Sequence, residues 1–366
     1  MILKLLLSAF FAAFAAAAAV ALEKRDAKVI KMDLYDGSSL AKRDADYGSS
    51  NVIIAGYMLT EVKVGSNKDA VTLILDTGSW LTQIFDSNVT CPSCKGHGLY
   101  NSSASTSVVK SGKHEYSGFG GDSHFAGESA KEDFYLGEGD FKVSNVTFND
   151  VYDSKGFGYG ILGLALPPSD ALDENLAWAA KHSGEIDKAA YSLILQNRDD
   201  SQGSLIVGGY DAAKIDGDIH WTSIKDSNIH AILDYIKLNG TKIPVNKSYT
   251  LDSGGPTANL PKAVFDQVIA NLPVEQDGNK YYFDCSYGEG KTITYNLNGV
   301  DYDFPYTVFS RPTGKDNKCE ITYAVSNAAQ LGAHMFRYLF IAVDLEDSLL
   351  GLASTKNTTE TDIRAF

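Results

Sequence analysis

Two short stretches decide the fold: Ile74-Leu75-Asp76-Thr77-Gly78-Ser79 and Tyr249-Thr250-Leu251-Asp252-Ser253-Gly254-Gly255. Each runs an apolar strand into Asp-(Thr/Ser)-Gly. One such triplet alone reads as a plain turn at a strand end, since Asp and Gly make turns everywhere. The two copies, however, lie about one domain length apart. Each also has a matching sequel: Gly160-Ile161-Leu162-Gly163-Leu164 after the first and Ala329-Gln330-Leu331-Gly332 after the second. Strand, Asp-(Thr/Ser)-Gly and a later apolar pair with glycine, occurring twice, make an internal repeat. A strand-end turn does not account for the repetition.

Most of the chain alternates apolar and polar residues in short runs broken by Gly, Asn and Asp. Leu59 to Val64, Val71 to Leu75, Ser204 to Val207 and Ile232 to Leu238 read as strands. Helical spacing is confined to a few segments, among them Asn175 to His182, closed by Gly184, and Lys262 to Leu272, with Pro261 at its first turn. The expected class is mostly β, with strands spaced for sandwich or barrel lobes rather than a parallel sheet.

The amino terminus stands apart from this pattern. Lys4 precedes an apolar run from Leu5 to Phe14 and a stretch of Ala, and Ala19-Val20-Ala21 has the small-x-small form of a signal-peptidase site. A membrane-spanning helix is the alternative reading of that run. Lys24-Arg25 and Lys42-Arg43 follow, each succeeded by Asp-Ala. Two dibasic pairs between a signal and a globular sequence read as maturation sites. The expected organisation is a signal peptide over 1–21, a pro-segment over 22–43, an N-terminal lobe over 44–220 and a C-terminal lobe with a polar tail over 221–366. Maturation would then start the chain at Asp44.

The whole chain has 32 Lys/Arg against 46 Asp/Glu, a net charge of −14. Removing residues 1–43 takes away seven of the former and four of the latter, leaving a net charge of −17. Such a surface repels nucleic acid and anionic lipid, and it suits an acidic milieu, where protonation relieves the repulsion. The residues from Ser354 to Phe366 are polar, with no hydrophobic tail for a lipid anchor.

Cys91, Cys94, Cys285 and Cys319 allow three pairings. Cys91-Pro-Ser-Cys94 has the spacing of a redox dithiol, or of a metal half-site with His97. No strand-to-helix unit surrounds it, and no second ligand pair follows at a related spacing. The preferred pairing is a local bridge, Cys91–Cys94, and a longer one, Cys285–Cys319, with no metal and no cofactor. Asn-x-Ser/Thr sequons begin at Asn88, Asn101, Asn145, Asn239, Asn246 and Asn357, consistent with a secreted glycoprotein.

On these motifs the chain resembles the pepsin-like aspartic proteases (peptidase A1), nearest to fungal secreted members of the yapsin and candidapepsin type. The resemblance covers residues 47–354. Ala190-Tyr191-Ser192-Leu193-Ile194-Leu195 is similar to the family's Phe-Ser-Leu strand, and Gly203-Ser204-Leu205-Ile206-Val207-Gly208-Gly209 to the hairpin after it. Tyr235 to Gly240, Val343 to Glu346 and Leu350 to Ala353 fit later strands, and Cys285 and Cys319 stand where the family bridges its second lobe. The dibasic pairs resemble the pro-segment sites of the fungal members. The implied fold is bilobal and pepsin-like, two β-barrel-like lobes with a central cleft, and a monomer is the family default.

The resemblance implies peptide or protein substrates and a water-activating dyad, Asp76 and Asp252. Thr77, Gly78, Ser79, Ser253 and Gly254 would support it. Two carboxylates a hydrogen bond apart cannot both ionise easily, so one proton is shared and the pair supplies both acid and base.

Departures cluster near the expected cleft. Ser79 keeps the hydroxyl that follows Asp-Thr-Gly in the family, whereas Gly255 and Pro256 lack it after Asp252. The region of the substrate-covering flap reads His114-Glu115-Tyr116-Ser117-Gly118-Phe119-Gly120-Gly121-Asp122-Ser123, leaving Tyr116 and Phe119 as rival candidates for its tip. The usual Trp partner of the flap is missing: Trp80 is too early, and Gln83 stands near its place. Tyr159 and Ala333 occupy positions where the family often has Asp. Two readings stay open, an acid-active secreted endopeptidase and a catalytically impaired cleft that binds peptides or a protein partner.

Overall fold

A computed structural model describes residues 28–36, 57–91, 93–94, 97–119, 122–137, 139–195, 202–255 and 257–366. The expected signal, both dibasic pairs, Asp44 and Pro256 lie outside the described residues.

The expected strands form with slightly wider bounds, as Met58–Val64, Asp69–Asp76, Gln202–Val207 and His230–Leu238. Both expected helices form as well. The first, α1, spans Leu176–His182, and the Asn175 side chain caps it by accepting from the Ala177 N–H. The second, α2, spans Lys262–Ala270, two residues shorter than the spacing suggested, with Pro261 in the N-cap position. A proline needs no N–H partner there.

The two halves of the repeat fold alike. Asp69–Asp76 pairs in parallel with Gly160–Gly163, setting Asp76 beside Gly163. Thr241–Asp252 pairs in parallel with Gln330–Gly332, setting Asp252 beside Gly332. The apolar-pair-plus-glycine segment is therefore the strand that flanks each aspartate. Its glycine is sterically required, because a Cβ on Gly163 would lie 2.4 Å from the Trp80 carbonyl oxygen and one on Gly332 2.6 Å from that of Gly255.

A sheet of 13 strands joins the halves. Ala190–Leu195 is bonded on one side to Gln202–Val207 and on the other to Leu339–Asp344, which continues through Leu349–Thr355 to Ile215–Ser223. The expected lobe boundary between residues 220 and 221 thus falls inside a strand. The carboxyl end is docked too: Ile363–Ala365 pairs with Gly209–Asp211, and the Phe366 ring lies against Tyr210 and Trp221. Ile30–Asp36, within the expected pro-segment, is an interior strand between Gln202–Val207 and Met58–Val64. Its Ile30, Met32 and Leu34 are buried.

The second lobe adds a five-stranded sheet containing His230–Leu238 and Thr241–Asp252, and a four-stranded sheet at its edge. Both expected disulfides are present, Cys91–Cys94 and Cys285–Cys319. Among the described residues no helix is long and apolar enough to cross a membrane.

Candidate active site

The parallel pairings bring the two Asp-(Thr/Ser)-Gly turns face to face at the junction of the lobes. Thr77 and Ser253 are fully buried and interlock. The Thr77 N–H donates to Ser253 Oγ at 3.0 Å and the Ser253 N–H to Thr77 Oγ1 at 2.9 Å. Their hydroxyls then cross to the opposite strands, Thr77 Oγ1 donating to the Leu251 carbonyl at 2.6 Å and Ser253 Oγ to the Leu75 carbonyl at 2.7 Å. Four reciprocal bonds in a dry environment hold one loop against the other. A buried polar group left without its partner costs about 1–3 kcal/mol, so these bonds act as a unit.

Each glycine faces the opposite carboxylate. A Cβ on Gly78 would lie 2.9 Å from Asp252 Oδ1, and one on Gly254 2.5 Å from Asp76 Oδ1. Any larger residue would wedge the pair apart. The N–H groups of Gly78 and Gly254 each donate to their own aspartate's Oδ1 at 2.8 Å. The outer oxygens differ: Asp76 Oδ2 accepts from Ser79 Oγ at 2.6 Å, whereas position 255 offers its N–H, at 3.0 Å, to Asp252 Oδ1.

Asp76 is buried, and Asp252 hydrogen-bonds to it. Burial, then the charge of Asp76, push the Asp252 carboxyl well above the usual carboxylate range, against the pull of the Gly254 and Gly255 N–H groups. The pair is built to share a proton, and its titration belongs to both groups. Tyr57, which no sequence motif singled out, also faces this centre. Its phenol is pushed up by burial and then by the charges of Asp252 and Asp76.

The flap region is a hairpin of Val109–Gly118 with His124–Leu136, closing at the pair Gly118–His124. Of its candidate aromatics, Tyr116 is 71% exposed and stacks on His124. Phe119 packs edge-on against Phe125 and Phe157. The residue that meets Gln83 is Ser117, whose Oγ receives the Gln83 amide at 2.9 Å. Gln83 is itself buried and held by Asn149, which donates to its carbonyl oxygen at 2.6 Å. Trp80 is partly exposed, with its indole on the Glu174 carboxylate. Tyr159 is buried against His97, and buried Ala333 donates its N–H to the Gly255 carbonyl at 2.7 Å.

A bilobal β protein with paired, glycine-flanked aspartates locked across its lobe junction has the architecture of the pepsin-like class. The family described as eukaryotic aspartyl protease matches residues 57–355, and the chain belongs to it. Among curated proteins it is 30% identical over 329 residues to Candidapepsin-1 of Candida albicans, covering 84% of this chain and 83% of that protein. It is 29% identical to Secreted aspartic protease 3 of the same species, over 84% and 81% of the two chains. Secreted aspartic protease 8 is 30% identical over 82% and 76%.

Proposed function

We propose that the protein is a secreted aspartic endopeptidase, active at acidic pH, in which Asp76 and Asp252 together activate one water. The observation that carries this reading is the facing pair of carboxylates, Asp76 buried and Asp252 half-buried, with Thr77 and Ser253 interlocked behind them. With one proton shared, the ionised carboxylate takes a proton from the water as it attacks the scissile carbonyl. The protonated partner donates to the carbonyl oxygen, and the dyad later returns a proton to the leaving amine. Gly78 and Gly254 hold the inner oxygens in place, so little reorganisation is needed as charge moves. A peptide in the cleft would lie beneath the hairpin of Val109–Gly118.

Secretion, an amino-terminal pro-segment ending at Lys42-Arg43 and a monomeric mature enzyme belong to the same proposal. The name Secreted aspartic protease 3 of a Candida relative supports the secretion part of it. Amino-terminal sequencing of the secreted protein checks the boundary. Asp44 is expected; Asp26 would move the maturation site and leave the strand Ile30–Asp36 in the mature enzyme.

The lack of a hydroxyl side chain at Gly255, and of the flap's Trp partner near Gln83, favours a second reading, a cleft that binds peptides without cutting them. Turnover separates the two. Acid-favoured cleavage of an unfolded protein between about pH 3 and 7, the range in which carboxylates titrate, should be abolished by Asp76→Asn and by Asp252→Asn. A folded, correctly processed chain that cuts nothing across that range would leave the binding reading.

A further inference from the structure

We propose that Gln330 is a positioning residue for Asp252, its side-chain amide standing in for the hydroxyl that position 255 lacks. The inference deepens the peptidase reading and rests on it. Asp76 has its outer oxygen fixed by Ser79 Oγ at 2.6 Å. The equivalent position after Asp252 is Gly255, with no side chain to offer. The space is nonetheless filled. A Cβ on Gly255 would lie 1.6 Å from Gln330 Nε2 and 3.0 Å from Asp252 Oδ2. The Gln330 amide nitrogen therefore occupies the volume that a residue-255 side chain would claim, a volume that borders Asp252 Oδ2.

Two further contacts aim that amide. Gln330 opens the strand that runs parallel to Thr241–Asp252, in register with Thr250, so its backbone is fixed two residues from Asp252 along the ladder. Asn259 Nδ2 donates to Gln330 Oε1 at 3.4 Å, which turns the carbonyl oxygen toward Asn259 and leaves the NH₂ on the side of Gly255. A separation of 1.6 Å is far inside van der Waals contact, so Gln330 in this rotamer and any side chain at 255 exclude one another. Gly255 and Gln330 form a matched pair, one residue leaving room for the other's donor. An amide NH₂ donates only. It orients the carboxylate and favours its ionised form without passing a proton on.

The test is a two-by-two set of variants in the processed enzyme: parent, Gln330→Leu, Gly255→Ser, and Gly255→Ser with Gln330→Leu. Gln330→Leu is expected to lower kcat about tenfold with little change in KM, and to move the alkaline limb of the pH profile upward as Asp252 loses a donor. Gly255→Ser alone, clashing with Gln330, should lose more. The double variant, with room for a serine hydroxyl, should recover activity above either single variant. Unchanged kcat and pH profile in Gln330→Leu, or a Gly255→Ser single variant as active as the parent, overturns the proposal. Thermal unfolding against pH is read on the same four proteins, with the Asp252→Asn variant identifying the dyad's slope. If the parent has no turnover, a slope shifted by Gln330→Leu still upholds Gln330 while the peptidase reading fails. An unshifted slope then sinks both.

Discussion

The Asp76–Asp252 pair holds one proton into a pH range where an exposed aspartate would be ionised, because burial and the charge of Asp76 both oppose ionisation of Asp252. The folded-state pKa lies above the unfolded one, so between the two values the native state binds a proton that the unfolded chain has lost. Stability therefore falls as pH rises from the ordinary aspartate range toward the raised value, by about 1.4 kcal/mol per pH unit within that window. Asp252→Asn should remove this slope: its Tm should change less than the parent's between pH 4 and 7, and parallel curves would refute the assignment. A different cost attaches to Thr77, whose Oγ1 both accepts from Ser253 N–H and donates to the Leu251 carbonyl. Thr77→Val keeps the shape and orphans both groups, so about 2–4 kcal/mol should be lost, read as a lower denaturation midpoint at unchanged m-value. The seven dyad-region residues named from the motifs were legible because the chemistry repeats in sequence. Tyr57 and Gln330 were not, since Tyr57 stands just ahead of the strand Met58–Val64 and Gln330 opens Gln330–Gly332, and neither local pattern says more than that a strand is there.

The hairpin of Val109–Gly118 with His124–Leu136 is fastened to the first lobe through side chains. Gln83 reaches it through Ser117, with Asn149 bracing Gln83 from behind. Gln83→Leu should cut that line: kcat/KM for a peptide substrate is expected to drop several-fold, and amide exchange in Glu115–Gly118 to quicken. Equal exchange in parent and variant would show that the hydrogen bond does not fasten the hairpin. At the base of the turn, His124 bonds to Asp153, and that bond raises its imidazole pKa. The stabilisation is complete below the ordinary histidine pKa and is lost as pH rises through the raised one, so this corner is tightest in acid. Exchange protection at Tyr116–Gly118, corrected for intrinsic rates, should rise on acidification in the parent and stay flat in His124→Gln. The family resemblance located this hairpin but left Tyr116 and Phe119 as rivals for its tip. Which side chain turns inward depends on strand register and on the aromatic cluster of Phe125 and Phe157, and both are tertiary facts.

Over the whole molecule, the repeated motifs foretold two similar halves, and parallel pairing beside each aspartate explains why both segments of the repeat were needed. The division between the halves was less legible, because strands from both ends of the chain interleave in the large sheet. The Cys285–Cys319 bridge belongs to the second lobe alone and spans 34 positions. Opening it by replacing both cysteines with alanine should cost about 3–4 kcal/mol on loop-closure grounds, seen as a lower melting temperature. The joining sheet has a mechanical consequence. Ala190–Leu195 carries backbone bonds to Leu339–Asp344 on one edge and Gln202–Val207 on the other, so the halves cannot drift apart without tearing a ladder. The sheet is built like a leaf spring: any gaping of the groove would have to bend its backbone, which opposes a change in the separation of the two aspartates.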